Sequence, residues 1–324
     1  MPDTAHPGDL PLVTVVAPVY NEEHGLLDFY SRTTAALAAI TPAVRHELLF
    51  VDDGSADASG DVLRKLAETD RQVRVISLSR NFGHQIAITA GLDEAGGDAV
   101  VVIDSDLQDP PEVSADMVAA WRGGSRVVYG VRTQRAGESG FKLVSAKLFY
   151  RLLNRLSDTP LPLDAGDFRL LDHEVVDVLR TLREENRYMR GMVSWVGFRQ
   201  TAVHYARDER RVGETKYPLS KMLRLGADAV TSFSERPLRV ALQLGALMTL
   251  VTFVLAGSIA VSKLLNPDQS ISGYASLMVV VLFLGGLQLF TVGLLGEYVG
   301  RTYRETKRRP LYVVGERIGS SPPD

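Results

Sequence analysis

Residues Val101 to Glu112 read VVIDSDLQDPPE. The apolar run Val100–Ile103 ends in Asp104-Ser105-Asp106, followed by Leu107, Gln108, Asp109, Pro110 and Pro111. An apolar run of this length, closed by turn residues, predicts a buried strand. Two carboxylates spaced i, i+2 at its end can converge on one point beyond the sheet edge. Oxygen ligands in that position suit Mg²⁺ or Mn²⁺ shared with a substrate phosphate. The proline pair stops the strand and restricts the backbone after the ligands. In isolation the same residues also describe an acidic turn after a core strand, so the rest of the chain has to decide.

Working outward, Val13–Tyr20, Leu48–Val51, Val73–Leu78, Ala99–Ile103 and Val127–Tyr129 are short runs rich in Val, Ile and Leu. Helical patterns separate them at Glu23–Ile40, Ser59–Thr69, Gln85–Ala95 and Glu112–Trp121. Alternation of this kind predicts an α/β fold with a mostly parallel sheet, whose ligands bind at the carboxyl ends of the strands. The polar strand ends Asn21-Glu22, Asp52-Asp53, Arg80-Asn81 and Asp104-Ser105-Asp106 fall on that edge. No G-x-G-x-x-G follows the first strand and no G-x-x-x-x-G-K-[ST] is present, so dinucleotide and P-loop sites are not supported. Tyr20 offers a face to a base, and Asp53 an acceptor for a base N–H or ribose hydroxyl. Each residue alone also reads as a cap or turn, whereas three such ends in register favour a shared nucleotide pocket.

Composition narrows the class. The 324 residues carry a net charge of −3, which argues against a general nucleic-acid binder. There is no Cys, so disulfides, thiolate catalysis and Cys-ligated zinc are excluded. Residues 1–11 lack a basic n-region and an apolar core, and read as a disordered lead-in rather than a secretory signal.

Val240–Ser262 and Gln269–Gly296 contain no charged residue, and each matches the roughly 20 helical residues that a bilayer core requires. The turn-forming Asn266-Pro267-Asp268 between them predicts a two-helix transmembrane hairpin, with helices over 238–265 and 270–298. Arg236 and Arg239 precede it, Arg301, Arg304, Lys307, Arg308 and Arg309 follow it, and the connection holds only Lys263. The positive-inside rule then places the large N-terminal domain and both termini in the cytoplasm, at the plasma membrane. Phe141–Leu156 reads as a basic amphipathic helix, or alternatively as a core helix with a basic edge, and 216–237 as a juxtamembrane interface helix. The tail 299–324 is expected as a cytoplasmic segment whose end, Leu311–Asp324, packs on a neighbour or is disordered.

Taken together, PVYNE at 18–22, VDDGS at 51–55 and DSD at 104–106 resemble glycosyltransferase family 2 with its GT-A nucleotide-sugar-binding fold. More narrowly, the chain is similar to the polyisoprenyl-phosphate glycosyltransferases, which include bactoprenol glucosyltransferases and dolichyl-phosphate mannose synthases. That likeness rests on SRNFGHQ (79–85), AGLDEAGGD (90–98), DLQDPPE (106–112), AGDFRLLD (165–172), RYMRGMVSWVGF (187–198) and RRVGETKYPLSKM (210–222), followed by the paired spans. SRNFGHQ resembles the bacterial undecaprenyl-phosphate branch. Q-x-x-R-W is absent, unlike in processive synthases.

The resemblance implies a GT-A domain over 12–215 that moves a hexose, glucose from UDP-glucose first, onto undecaprenyl phosphate with inversion. GDP-mannose or UDP-GlcNAc as donor, or a non-catalytic nucleotide-sugar-binding scaffold, are the alternatives. It implies a Mg²⁺ or Mn²⁺ ion on Asp104, Asp106 and Gln108. Pro18, Tyr20, Glu22, Asp53, Asp104 and Ser105 would bind the donor, with Arg210 and Lys216 closing over its diphosphate. Asp106, Asp167 and Asp164 are the catalytic candidates, with a helix cap the competing reading of Asp167. His84 is expected either to contact the donor or to pack against the Phe82 turn. Arg132, Lys142 and Ser145 are expected on the acceptor phosphate. The family likeness also implies a homo-oligomer, such as a tetramer. A transporter reading is disfavoured because neither span carries a central ionisable residue.

Overall fold

The computed structural model describes residues 10–132, 165–206, 236–265 and 273–319. The amphipathic segment 141–156, nearly all of the juxtamembrane segment 216–237 and the turn at 266–268 lie outside these residues, as do Lys142, Ser145, Asp164, Arg210 and Lys216.

The first unit is built on strands β1 (Leu12–Val19), β2 (Arg45–Asp52), β3 (Val73–Leu78), β4 (Ala99–Val102), β5 (Val127–Arg132), β6 (Ala165–Asp172), β7 (Gln200–Tyr205) and β8 (Val314–Ile318). They form one sheet in the order β7-β5-β6-β4-β1-β2-β3-β8. β1 pairs in parallel with β2 and β4, β2 with β3, and β5 with β7; β6 and β8 run antiparallel to their neighbours. The central strands are continuous apolar runs because helices cover both faces. Val13, Val15, Ala17, Phe50, Val75 and Val101 pack with α1 (Leu26–Ala38), α2 (Ser59–Thr69) and α4 (Ser114–Arg122) through Phe29, Leu63 and Met117. On the other face α3 (His84–Glu94) approaches β1 and β2 closely, and a Cβ at Gly91 would collide with Val16 and crowd Val51. Helices α5 (His173–Thr181) and α6 (Met189–Val196) follow β6.

Two strands differ from the sequence expectation. β6, read as a motif without an assigned element, inserts antiparallel between β4 and β5, with Val102 opposite Arg169 and Val131 opposite Ala165. Extending the β4 register by two residues sets Asp167 beside Asp104. The tail, expected to pack on a neighbour or to be disordered, instead supplies β8 along β3 of its own sheet. Arg317 and Glu316 form ion pairs with Glu94 and Arg64, and the Tyr312 hydroxyl donates to Asp93. Those partners sit on α2 and α3, so local hydropathy of the tail does not reveal them.

The second unit contains α7 (Arg236–Leu265) and α8 (Tyr274–Thr306). Leu242, Phe253, Leu289 and Phe290 on these helices are between 67% and 75% exposed, an apolar surface suited to lipid. Among the described residues one stretch, Phe283–Thr306, is long and apolar enough to cross a membrane, and Ala241–Leu255 is a shorter apolar stretch.

Candidate active site

The carboxyl ends of β1, β2 and β4, with the start of α3, enclose a cleft of about 230 Å³. Pro18, Tyr20, Glu22, Asp53, Asn81, His84, Asp104, Ser105 and Asp106 line it. All six expected donor residues among the described part, and both DSD carboxylates, are therefore gathered in one place.

Backbone lacing fixes the side built on the ends of β1 and β2. Asn21 N–H donates to the Ser55 hydroxyl, Ala56 N–H to Asn21 Oδ1, and Glu22 N–H to the Ser59 hydroxyl. Asn21 takes a positive φ of 56°, a conformation Asn tolerates better than most residues. Asp53 accepts the backbone N–H groups of Phe82 (2.7 Å) and Gly83 (2.9 Å), tying the second strand end to the SRNFGHQ loop. Burial outweighs those two bonds and raises its pKa. Gly54 is required at φ 69°, since a Cβ there would lie 2.5 Å from the Arg80 carbonyl carbon. Tyr20 remains 49% exposed, leaving its ring open to a stacking partner.

At the DSD end, the Ser105 hydroxyl donates to the Pro18 carbonyl at 2.9 Å, pinning the DSD turn to β1. Asp104 Oδ1 is buried and accepts no hydrogen bond. Its carboxyl is pushed up to about 6 by burial and by the charges of Asp167, Asp106 and Asp109, which His84 only partly offsets. A buried carboxylate oxygen that accepts no hydrogen bond, among like charges that His84 only partly offsets, is what a divalent cation would satisfy, so the donor set fits one. Gln108, expected as a third ligand, is buried and stands outside the cleft lining, and its backbone N–H donates to Asp106 Oδ1.

His84 and Gln85 join this end to β6. His84 Nε2 is 3.5 Å from Asp104 Oδ1 and 3.4 Å from Asp167 Oδ2. Gln85 Nε2 donates to Asp167 Oδ2, while its Oε1 accepts the Met189 N–H at the start of α6. Arg190 Nε donates to Asp167 Oδ1 at 3.0 Å, and Arg169 lies 3.7 Å from the same oxygen. Burial alone would raise Asp167, but the His84 bond, Arg190 and Arg169 hold its carboxyl far below the usual range. Asp167 is thus an anion held by cations and not the helix cap considered above. Gln85, Arg169 and Arg190 were not singled out by sequence reasoning, although all three lie inside the quoted motifs.

Arg132 is also not a free cation at a strand end. Its Nε and Nη2 donate to the two oxygens of Asp109 at 3.2 and 3.0 Å, and Tyr205 donates to Asp109 Oδ1 at 2.6 Å. A separate group, Asp172, His173 and Glu174, has metal-ligand spacing. It lies at the opposite sheet edge, however, where Asp172 accepts from Trp121, Arg126 and the Glu174 N–H and caps α5.

Known proteins resemble this chain over nearly its whole length. Residues 14–180 match Glycosyl transferase family 2, and residues 236–302 match the GtrB C-terminal hairpin. The uncharacterized glycosyltransferase YkcC of Bacillus subtilis (strain 168) is 49% identical over 306 residues, 94% of each chain. The bactoprenol glucosyl transferase of Shigella phage SfV is 40% identical over 304 residues, 93% of this chain and 97% of that one. A prophage bactoprenol glucosyl transferase homolog of Escherichia coli (strain K12) is 38% identical over 302 residues, 93% of this chain and 98% of the relative.

Proposed function

This chain belongs to glycosyltransferase family 2, and we propose that it transfers glucose from UDP-glucose to undecaprenyl phosphate, with inversion, at the cytoplasmic face of the bacterial plasma membrane. The observation that carries this reading is the near-full-length likeness to bactoprenol glucosyl transferases, spanning both the carboxylate cleft and the hairpin. In this reading α7 and α8 both cross the membrane, and their exposed Leu and Phe side chains face lipid.

Pro18, Tyr20, Glu22 and Asp53 hold the nucleoside, and Arg210 and Lys216 meet the diphosphate. Asp104 and Asp106 would hold Mg²⁺ or Mn²⁺, which when bound neutralises charge on the departing diphosphate. Asp167, kept ionised by Arg190, Arg169 and His84, makes a poor proton acceptor and a good electrostatic partner for positive charge at the anomeric carbon. A separate base is not required, because a phosphate monoester with a second pKa of about 6 is already a nucleophile near neutral pH. Arg132, Lys142 and Ser145 receive the acceptor phosphate, and Asp164 is the alternative to Asp167 for orienting it.

The test is transfer by the purified full-length chain in detergent with undecaprenyl phosphate, Mg²⁺ or Mn²⁺, and a panel of UDP-glucose, UDP-GlcNAc and GDP-mannose. A lipid product from UDP-glucose supports the proposal. Product from another donor alone would replace the sugar. No product from any donor, beside an active control enzyme, would favour a binding scaffold.

A further inference from the structure

The DSDLQD run holds three carboxylates, and the structure divides them. After Asp106 the backbone turns through Leu107, which adopts a positive φ of 59°, a costly conformation for a branched apolar residue. Leu107 packs against the core, and Asp109 is 1% exposed. Both oxygens of Asp109 are engaged, Oδ1 by the Tyr205 hydroxyl (2.6 Å) and Arg132 Nε (3.2 Å), Oδ2 by Arg132 Nη2 (3.0 Å). Tyr205 is itself fixed by edge-on packing against Phe168 of β6, centroids 5.7 Å apart. Gly166 leaves room for the guanidinium, since a Cβ there would sit 3.3 Å from Nη2. The Arg132 side chain is 33% exposed, and its Nη1 carries no hydrogen bond among the described residues.

We propose that Asp109 is a positioning residue for the acceptor: it locks the Nε–Nη2 edge of Arg132, with Tyr205 as a second prop, so that Arg132 offers one oriented N–H edge to an oxygen of a phosphate monoester. This rests on the reading that the acceptor is a lipid phosphate. The strained turn at Leu107 joins Asp109 to Asp104 and Asp106, so the residue that orients the acceptor cation and those that would hold the donor's ion share one short loop. Because Asp109 offsets the charge of Arg132, the phosphate is held by direction more than by net attraction. A lysine at 132 cannot fill the fork and also present a second N–H edge.

The test measures lipid-phosphate and UDP-glucose KM separately for Asp109→Asn, Tyr205→Phe and Arg132→Lys in the full-length protein in detergent. Tyr205→Phe keeps the ring packing and guards against a folding defect. The expected result is a lipid-phosphate KM raised about tenfold, the scale of one lost charge-assisted hydrogen bond, with donor KM unchanged. Variants that transfer with an unmoved lipid KM, or that raise only the donor KM, would overturn the clamp. A wild-type protein that makes no lipid product would instead remove the acceptor reading, and this assignment with it.

Discussion

Asp104 and Asp167 lie side by side where β4 and β6 end and begin, with His84 Nε2 3.5 Å from one carboxylate and 3.4 Å from the other. They differ in character. Burial and like charges leave Asp104 short of cations, its pKa raised to about 6, whereas Arg190 and Arg169 saturate Asp167. One can accept further positive charge and the other is a fixed negative charge. Asp167→Asn should therefore lower kcat by about a hundredfold, the scale of a lost electrostatic group in a preorganised site. UDP-glucose binding, measured by calorimetry, should stay near wild type. Weakened donor binding with unchanged kcat would place Asp167 in the donor pocket instead.

Asp172 provides a stability test away from the cleft. Burial would raise its pKa, but bonds from Trp121, Arg126 and the Glu174 N–H lower it below the ordinary carboxylate value. A depressed folded value means the contribution is present above about pH 4 and is lost as pH falls through the folded pKa. Asp172→Asn should cost about 1–3 kcal/mol at neutral pH. In thermal melts the gap to wild type should hold from pH 6 to 8 and narrow in acid. A gap that widens below pH 4 would contradict the assignment.

The tail strand predicts an asymmetry between truncation and point changes. Stopping the chain at Pro310 removes β8, uncovers the β3 edge and takes the Tyr312 bond from Asp93. Melting temperature should fall by several degrees. Arg64→Ala or Arg317→Ala alone, each at an exposed ion pair, should change it little.

Gly91→Ala tests the α3 packing. The added methyl meets Val16 and presses on Val51, both in central strands. A loss of about 1–3 kcal/mol by denaturant unfolding is expected from overpacking, despite alanine's better helix propensity. A stabilised variant would show that α3 can move off the sheet.

Which features were legible in the sequence follows from where their information sits. The ends of β1, β2 and β4 could be read because apolar runs stop abruptly at Asn21-Glu22, Asp52-Asp53 and Asp104-Ser105-Asp106, and a parallel sheet brings such ends together. β6 was not assigned, since its reversal depends on pairing with β4 and β5 and leaves no local mark. The clamp on Arg132 was missed for the same reason: Asp109 lies 23 residues away in sequence and Tyr205 73. The Gln85 and Arg190 contacts to Asp167 likewise join α3, α6 and β6, three elements whose meeting is set by packing.

The most direct test of the central claim is the lipid product itself. Wild type and Asp106→Asn would be incubated side by side with UDP-glucose, undecaprenyl phosphate and Mn²⁺ or Mg²⁺, and the lipid identified by mass spectrometry and anomeric NMR. Wild type should yield a β-linked glucosyl phosphate lipid, inverted from the α-linked donor. Asp106→Asn should remain folded and yield less than about one hundredth as much. An α-linked product, or equal product from the variant, would contradict an inverting transfer centred on the cleft carboxylates.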